Sequence, residues 1–172
     1  GNATPDYYGG KRRAFDDSLS SSIVAIDAVS GALRWSFQTT HHDLWDYDVA
    51  SQPTLIDIPG PNGIQHALVQ ATKRGEIFLL DRVTGQPLAE VAERSVPQSG
   101  IVPGERLSPT QPFSIGMPSL SGPPLTETMM WGITPFDHLW CRIRFRESRY
   151  DGPLTPPGLK PSITYPGYLG GL

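Results

Sequence analysis

Eleven consecutive residues, 38–48, carry an unusual density of side chains that could do chemistry. The segment holds two histidines, three aspartates, one tryptophan and one tyrosine. A carboxylate fixed on a rigid turn can act as a general base. The alternative is a polar surface loop whose aromatic side chains cover the edge of a strand, because loops run over protein surfaces. For His41 and His42 a supporting role in the loop is favoured over catalysis, since no third ligand lies at metal-binding spacing.

Strand-like segments on both sides of this loop share one pattern. Residues 22–31 and 75–85 each contain a run of β-branched and large apolar residues, which favours a strand, followed by a turn. Asp27 and Asp81 lie 54 positions apart. In both copies Ser or Thr stands three positions after the Asp, and Gly stands four positions after it. The Asp side chain can accept backbone N–H groups in such a turn, and Gly supplies positive φ. A repeat of about 40–55 residues made of short strands is typical of a β-propeller blade.

These patterns predict an all-β fold with almost no helical periodicity. The predicted strands lie near 22–27, 33–38, 54–58, 66–71 and 76–81. Alternation of Arg142, Arg144 and Arg146 with Ile143 and Phe145 predicts the solvated face of a further strand. Three regions are expected: propeller blades with the chemical loop at 1–95, a proline-rich excursion between blades at 96–128, and a further blade segment with a Pro/Gly-rich loop at 129–172.

Composition excludes several classes of protein. The 172 residues include 18 Gly and 18 Pro without a repeat period, which rules out collagen. The net charge of −3 argues against a nucleic-acid partner held through phosphate contacts. The single cysteine excludes an internal disulfide and a cysteine-rich metal site. No apolar run reaches the roughly 18 residues of a membrane span, and the initial Gly suggests a piece of a longer protein.

Several motifs carry a family resemblance. The segment from Asp27 through Ser30 and Gly31 to Trp35 resembles the tryptophan-docking motif of eight-bladed quinoprotein dehydrogenases, although Ala89 replaces the Trp in the second copy. Six further motifs occur in order: GNATPD at 1–6, HHDLWDYD at 41–48, QATKRG at 70–75, SPTQP at 108–112, MWG at 130–132 and TPPG at 155–158. Together, over essentially the whole chain, they resemble the membrane-bound, PQQ-dependent glucose, quinate and shikimate dehydrogenase family. Members are several-fold longer, so the resemblance implies an internal fragment of about two to three blades of an eight-bladed propeller.

The resemblance implies a function and site residues. The parent is expected to oxidise a sugar or cyclic polyol hydroxyl at the periplasmic face of the inner membrane, where helices absent from this sequence anchor it, and to pass electrons to ubiquinone. Asp46 matches the catalytic base, and Lys73 matches the residue that hydrogen-bonds the quinone oxygens of PQQ. Trp45 is expected at the cofactor, and Asn2 or Thr4 falls where the family places a ligand for Ca²⁺ or Mg²⁺.

The chemistry agrees with these roles. Removing hydride from an alcohol carbon requires a base for the O–H proton, and a cation that polarises the oxygens of a quinone makes it a better hydride acceptor. The alternative for Lys73 is a surface cation before a turn. The alternative for the whole protein is a non-catalytic propeller scaffold, which would have no reason to keep Asp46 and Lys73. Alone, the chain is expected to be inactive and to self-associate, because neighbouring blades would be missing for Trp35, Phe37, Ile77, Phe78 and Leu79.

Overall fold

Short antiparallel sheets dominate the structure, a computed structural model that describes residues 1–3 and 5–167. The strands are β1 (Ser22–Ile26), β2 (Leu33–Gln38), β3 (Thr54–Gly60), β4 (Gly63–Ala71), β5 (Ile77–Asp81), β6 (Val91–Ser95) and β7 (Thr110–Ser114). The helices are α1 (Ala14–Asp17), a 3₁₀ turn (Glu127–Met129) and α2 (Pro135–Glu147). Three sheets follow each other along the chain, with strand orders β1-β2, β3-β4-β5 and β6-β7. The predicted β-dominated fold is confirmed.

The predicted strands are found close to their expected positions. Strand β2 has the predicted bounds, β1 and β5 differ from the prediction by one residue at one end, and β4 begins three residues earlier than predicted. Strands β6 and β7 were not predicted. Pro112, which lies in β7 opposite Glu93 of β6, removes a backbone donor and is tolerated because β7 is an edge strand. The three-region division of the chain remains a prediction.

The two repeated turns have the geometry that their residue types predict. Asp27 Oδ1 accepts the N–H groups of the second and third residues after it, at 3.1 and 2.8 Å. Asp81 Oδ1 does the same at 2.8 Å in both cases. Gly31 and Gly85 close the turns at φ values of 71° and 74°, a region that favours glycine. Each turn therefore fixes the point at which the preceding strand, β1 or β5, ends.

Trp35 joins the first sheet to the turn after β5. Its indole Nε1 donates to the carbonyl of Arg82 at 3.3 Å. A Cβ atom placed on Gly85 would lie 2.6 Å from the Trp35 ring, so the indole packs directly on the glycine backbone. This contact is the docking of one repeat on the next that the motif predicts.

A core lies between the first two sheets. It consists of buried Ile23, Leu68, Phe78 and Leu80, with Trp35, Phe37 and Val91 packed against it. The rings of Phe37 and Phe78 lie 5.1 Å apart, and Phe78 is fully buried. The expectation that Trp35, Phe37 and Phe78 lack neighbours in this chain is therefore wrong, because successive repeats supply them.

The segment predicted as an Arg-rich strand is instead helix α2. Thr134 caps it: Thr134 Oγ1 accepts from the N–H of Asp137 at 3.2 Å, and Asp137 Oδ2 accepts from the N–H of Thr134 at 3.1 Å. Pro135 occupies the first turn, where its missing N–H costs nothing. Arg142 and Arg146 both pair with Glu127, because residues four apart lie close together on one face of a helix. No helix among residues 1–3 and 5–167 is long and apolar enough to cross a membrane.

Candidate active site

The chemically dense segment forms a non-repetitive loop after β2, here called the site loop (residues 39–48). Asp43 is fully buried and organises this loop from inside. Its carboxylate accepts the hydroxyl of Ser21 at 2.6 Å and the backbone N–H of Trp45 at 2.9 Å. Burial raises the pKa of Asp43, and these hydrogen bonds oppose the rise. Asp43 thus holds the backbone immediately before Asp46, whose φ of 60° is uncommon for a residue other than glycine.

Lys73 reaches the site loop from the turn between β4 and β5. Its Nζ donates to the backbone carbonyl of Asp46 at 2.9 Å and lies 3.3 Å from Asp46 Oδ2. The same ammonium forms an ion pair with Asp48 Oδ1. Partial burial lowers the pKa of Lys73, but the hydrogen bonds and charges of Asp48 and Asp46 outweigh that effect and raise it overall. Lys73 is therefore held as a cation against two carboxylates.

Asp46 and Lys73, 27 positions apart in sequence, are thus brought into direct contact. Their side chains keep 29% and 14% of their surface exposed, respectively. The pair is consequently close enough to be coupled and open enough to meet a ligand. The structure thus brings the predicted base and the predicted cation together, and both assignments remain predictions.

Trp45 lies in a second core rather than beside this pair. The core consists of buried Leu44, Trp45, Tyr47, Val96 and Leu154. The Trp45 indole donates to the carbonyl of Thr155 at 2.8 Å and stacks on Tyr47 with the ring centres 6.2 Å apart. Trp45 thereby fixes the site loop onto the segment around residue 155. Its role as a cofactor contact remains a prediction.

Asn2 is linked to the site loop only indirectly. The Asn2 amide donates to Asp6 Oδ1 at 2.8 Å, and its carbonyl oxygen accepts from Ser20 Oγ at 3.0 Å. Ser20 precedes Ser21, which holds Asp43. Thr4 lies outside the described residues. Within the described part of the chain, no cluster of three or more His, Cys, Asp or Glu side chains could hold a metal ion. The metal assignment therefore remains a prediction.

Two buried polar residues that support the site were not singled out from the sequence. Arg74 donates to the carbonyls of Thr39 and Pro112, at 2.9 and 3.0 Å, and pairs with Glu76 at 2.8 Å. Gln111 exchanges two hydrogen bonds of 2.7 Å with the backbone N–H and carbonyl of His41. Gln111 belongs to the SPTQP motif, and Arg74 directly follows Lys73. Their positions in these motifs are the sequence signal that could have identified them as supports of the site.

A cavity of about 190 Å³ opens beside this support. Tyr47 and Arg74 line it, together with Phe113, Met117 and Tyr165. Asp46, which precedes Tyr47, and Lys73, which precedes Arg74, do not line this cavity. The Asp46–Lys73 pair and the cavity are therefore separate features of the molecule.

The repeated turns, the docked Trp35 and the Asp46–Lys73 pair define a quinoprotein type of propeller. The PQQ family described as the glucose/ethanol/alcohol dehydrogenase β-propeller domain matches residues 1–172. The chain belongs to this family.

Three curated relatives illustrate the range of the family. The chain is 53% identical to the glycerol dehydrogenase large subunit of Gluconobacter thailandicus, over 99% of this chain and 23% of the relative. It is 46% identical to the quinate/shikimate dehydrogenase (quinone) of Acinetobacter baylyi, over 100% of this chain and 21% of the relative. It is 45% identical to the quinoprotein glucose dehydrogenase of Escherichia coli K12, over 99% of this chain and 21% of the relative. The chain therefore spans about a fifth of the length of these relatives.

Proposed function

We propose that the protein to which this chain contributes oxidises a hydroxyl group of a sugar or cyclic polyol, with PQQ as cofactor and ubiquinone as electron acceptor. Relatives named for glucose, quinate/shikimate and glycerol oxidation support the substrate class. The name of the A. baylyi relative includes a quinone. The reaction is assigned to the periplasmic face of the inner membrane. The observation that carries the proposal is the direct contact of Asp46 with Lys73.

Asp46 is assigned as the base that accepts the hydroxyl proton of the substrate. A base must be ionised and must reach the proton through about 2.6–3.2 Å. The Lys73 ammonium lies 3.3 Å from Asp46 Oδ2, and the partial exposure of Asp46 leaves an approach for a hydroxyl group. The site loop fixes the direction of approach, because Asp43 and Trp45 anchor the backbone just before Asp46.

Lys73 is assigned as the residue that binds the quinone oxygens. An ammonium group has three N–H donors. Lys73 donates to the carbonyl and to Oδ2 of Asp46, and it forms an ion pair with Asp48 Oδ1. A cofactor oxygen bound by Lys73 would compete with these partners. Asp46 Oδ2, at 3.3 Å, is a longer contact than the Asp46 carbonyl at 2.9 Å. Releasing it would leave the base carboxylate free for the substrate.

The chemical groups at the candidate site fit a quinone cofactor. PQQ supplies the hydride-accepting ortho-quinone, while the protein orients it and sets the local charge. Ca²⁺ or Mg²⁺ prefers oxygen ligands, and the amide oxygen of Asn2 is the candidate in the described residues. Lys73 keeps its charge in this environment, so it can act on the quinone oxygens without gaining or losing a proton.

A non-catalytic propeller scaffold is the second candidate. It would use the same Asp-turn hairpins, and the exposed apolar residues of α2, Phe136, Leu139 and Trp140, would serve for protein binding. The Asp46–Lys73 contact favours the enzyme, because a scaffold would have no reason to keep both residues at the spacing of the catalytic family. The chain alone is proposed to be inactive and to self-associate through such exposed surfaces. A stable monomer in sedimentation would contradict self-association.

Substitutions in the full-length enzyme test the two assignments. Asp46→Asn should lower kcat by about 10²–10⁴-fold and leave PQQ reconstitution intact, because a general base acts only on the chemical step. Lys73→Ala should raise the PQQ concentration needed for reconstitution and also lower kcat. Asp57→Asn and Lys160→Ala, at exposed positions, are the matched controls. An Asp46→Asn enzyme with normal turnover would place the base elsewhere, and normal reconstitution of Lys73→Ala would return Lys73 to a surface role.

A further inference from the structure

His42 lies between two carboxylates that come from distant parts of the chain. Its Nδ1 lies 2.7 Å from Asp17 Oδ2, and its Nε2 lies 3.1 Å from Glu105 Oε1. The three side chains are almost enclosed, with 6%, 13% and 1% of their surface exposed for His42, Asp17 and Glu105. Water therefore has little access to replace either contact.

Neither carboxylate has a free oxygen to carry a proton toward the ring. Both oxygens of Asp17 also face cations: Oδ2 is paired with Arg106, and Oδ1 lies 3.5 Å from Arg12. Glu105 Oε1 also accepts the backbone N–H of Arg106 at 2.8 Å, and Oε2 accepts the N–H of Gly9. An ionised carboxylate is only an acceptor, and a neutral imidazole has one donor. Both contacts can be hydrogen bonds together only if His42 carries a proton on each nitrogen.

His41 directs its ring away from this cluster. Its Nδ1 lies 2.6 Å from Gln38 Oε1, and its Nε2 lies 3.0 Å from Glu93 Oε1. The Gln38 amide is oriented by its Nε2, which donates to the carbonyls of Asp17 and Ser20. The charged groups that face His42 are therefore Asp17, Glu105, Arg12 and Arg106, and the next residue is the buried Asp43.

The His42 cluster anchors the start of the site loop. Arg12 donates to the carbonyl of Asp43 at 2.7 Å, and the backbone of Gly9 covers the ring so closely that a Cβ there would lie 2.8 Å from it. His42 has a φ of 40°, a conformation that needs support from its surroundings. This anchor lies four positions before Asp46.

We infer that doubly protonated His42 is a positioning residue, a clamp that joins Asp17 and Glu105 and thereby fixes the site loop that carries Asp46. The inference rests on the proposed function of Asp46 as the base. A ring with a single N–H would present a lone pair to one of the two carboxylates, and that contact would be repulsive.

The test is the measurement of kcat and KM in the full-length enzyme reconstituted with PQQ and Ca²⁺. His42→Asn should lower kcat by about 100-fold, as a misplaced base does, with a smaller change in KM. Glu105→Gln preserves the side-chain volume but replaces one acceptor oxygen with an amide N–H, so it should also lower kcat more than it changes KM. Asp57→Asn changes the same chemistry at an exposed histidine, since Asp57 lies 2.8 Å from His66, and should leave kcat and KM unchanged. Wild-type kcat in both clamp variants would overturn the clamp.

A second measurement separates this inference from the proposed function. If the wild-type protein has no PQQ-dependent turnover, the proposed function fails, and thermal unfolding then decides the clamp. The Tm losses of His42→Asn and Glu105→Gln should not add in the double variant, because either change alone breaks the same contact. Losses that add would overturn the clamp, whether or not the protein is a dehydrogenase.

Discussion

The packing of Trp35 on Gly85 gives a prediction with its control built into the chain. Gly31 and Gly85 close equivalent turns at nearly equal φ, 71° and 74°. A Cβ on Gly31 would meet nothing within 4 Å, whereas a Cβ on Gly85 would lie 2.6 to 2.9 Å from three atoms of the Trp35 ring. Alanine at the two positions therefore imposes the same backbone strain but a different steric cost.

The magnitudes follow from these two terms. An alanine in the left-handed region costs about 1–2 kcal/mol, because its Cβ approaches the following carbonyl. Gly31→Ala should therefore lower the free energy of unfolding by about that amount. Gly85→Ala adds displacement of a packed indole, and overpacking typically costs about 1–3 kcal/mol more. The expected difference between the two variants is thus about 1–3 kcal/mol.

Urea unfolding of both variants, followed by circular dichroism, measures this difference. Trp35→Ala in each background completes the comparison: it should cost less in the Gly85→Ala background than in the wild type, because the docking contact is already lost. Equal costs for Gly31→Ala and Gly85→Ala would refute the docking of Trp35 on Gly85. If neither alanine has a cost, the turn conformation itself is wrong.

Three further predictions concern stability. Gln111→Leu should lower the free energy of unfolding by about 2–4 kcal/mol in urea titration, because two buried backbone groups of His41 lose their partner; a loss below about 0.5 kcal/mol would contradict it. Thr134→Ala should remove about 1 kcal/mol of capping and reduce the helical circular dichroism signal, with Thr126→Ala, whose side chain makes no capping bond, as the control. The N–H groups of Thr84 and Val83 lower the pKa of Asp81. Stability from Asp81 is therefore present above its usual pKa and lost as pH falls through the lowered value, so Asp81→Asn should flatten the acid branch of Tm against pH, and an unchanged branch would refute the turn bonds.

The strands could be predicted from the sequence because their signals are local. Alternating β-branched residues and Asp–Gly turns act within about ten residues, and β1, β2, β4 and β5 lie where these signals place them. Helix α2 was missed although its start signals were present, with Thr134 and Asp137 at capping-box spacing and Pro135 between them. Alternation over the five residues 142–146 also fits a strand. Only the spacing of apolar residues over all thirteen residues of α2 indicates a helix. Strand β7 was missed because proline is depleted in strands, and only its pairing with β6 compensates.

The candidate site was partly open to prediction in the same way. Asp46 and Lys73 were singled out by motif, and the structure adds their contact and the second carboxylate, Asp48. The partners of His42 could not be predicted, because Asp17 and Glu105 lie 25 and 63 positions away and carry no pattern that points to a histidine.

The sequence by itself determined the repeat, the turn chemistry and the identity of the charged residues, because each depends on side-chain type and near-neighbour spacing. Only the tertiary structure decided which charges meet. Contact across tens of residues depends on how the sheets pack, and that packing is set by many buried groups together, Trp35, Phe78 and Trp45 among them. The same chain position can be an exposed cation or half of a buried ion pair, and the surrounding desolvation, not the residue type, settles which it becomes.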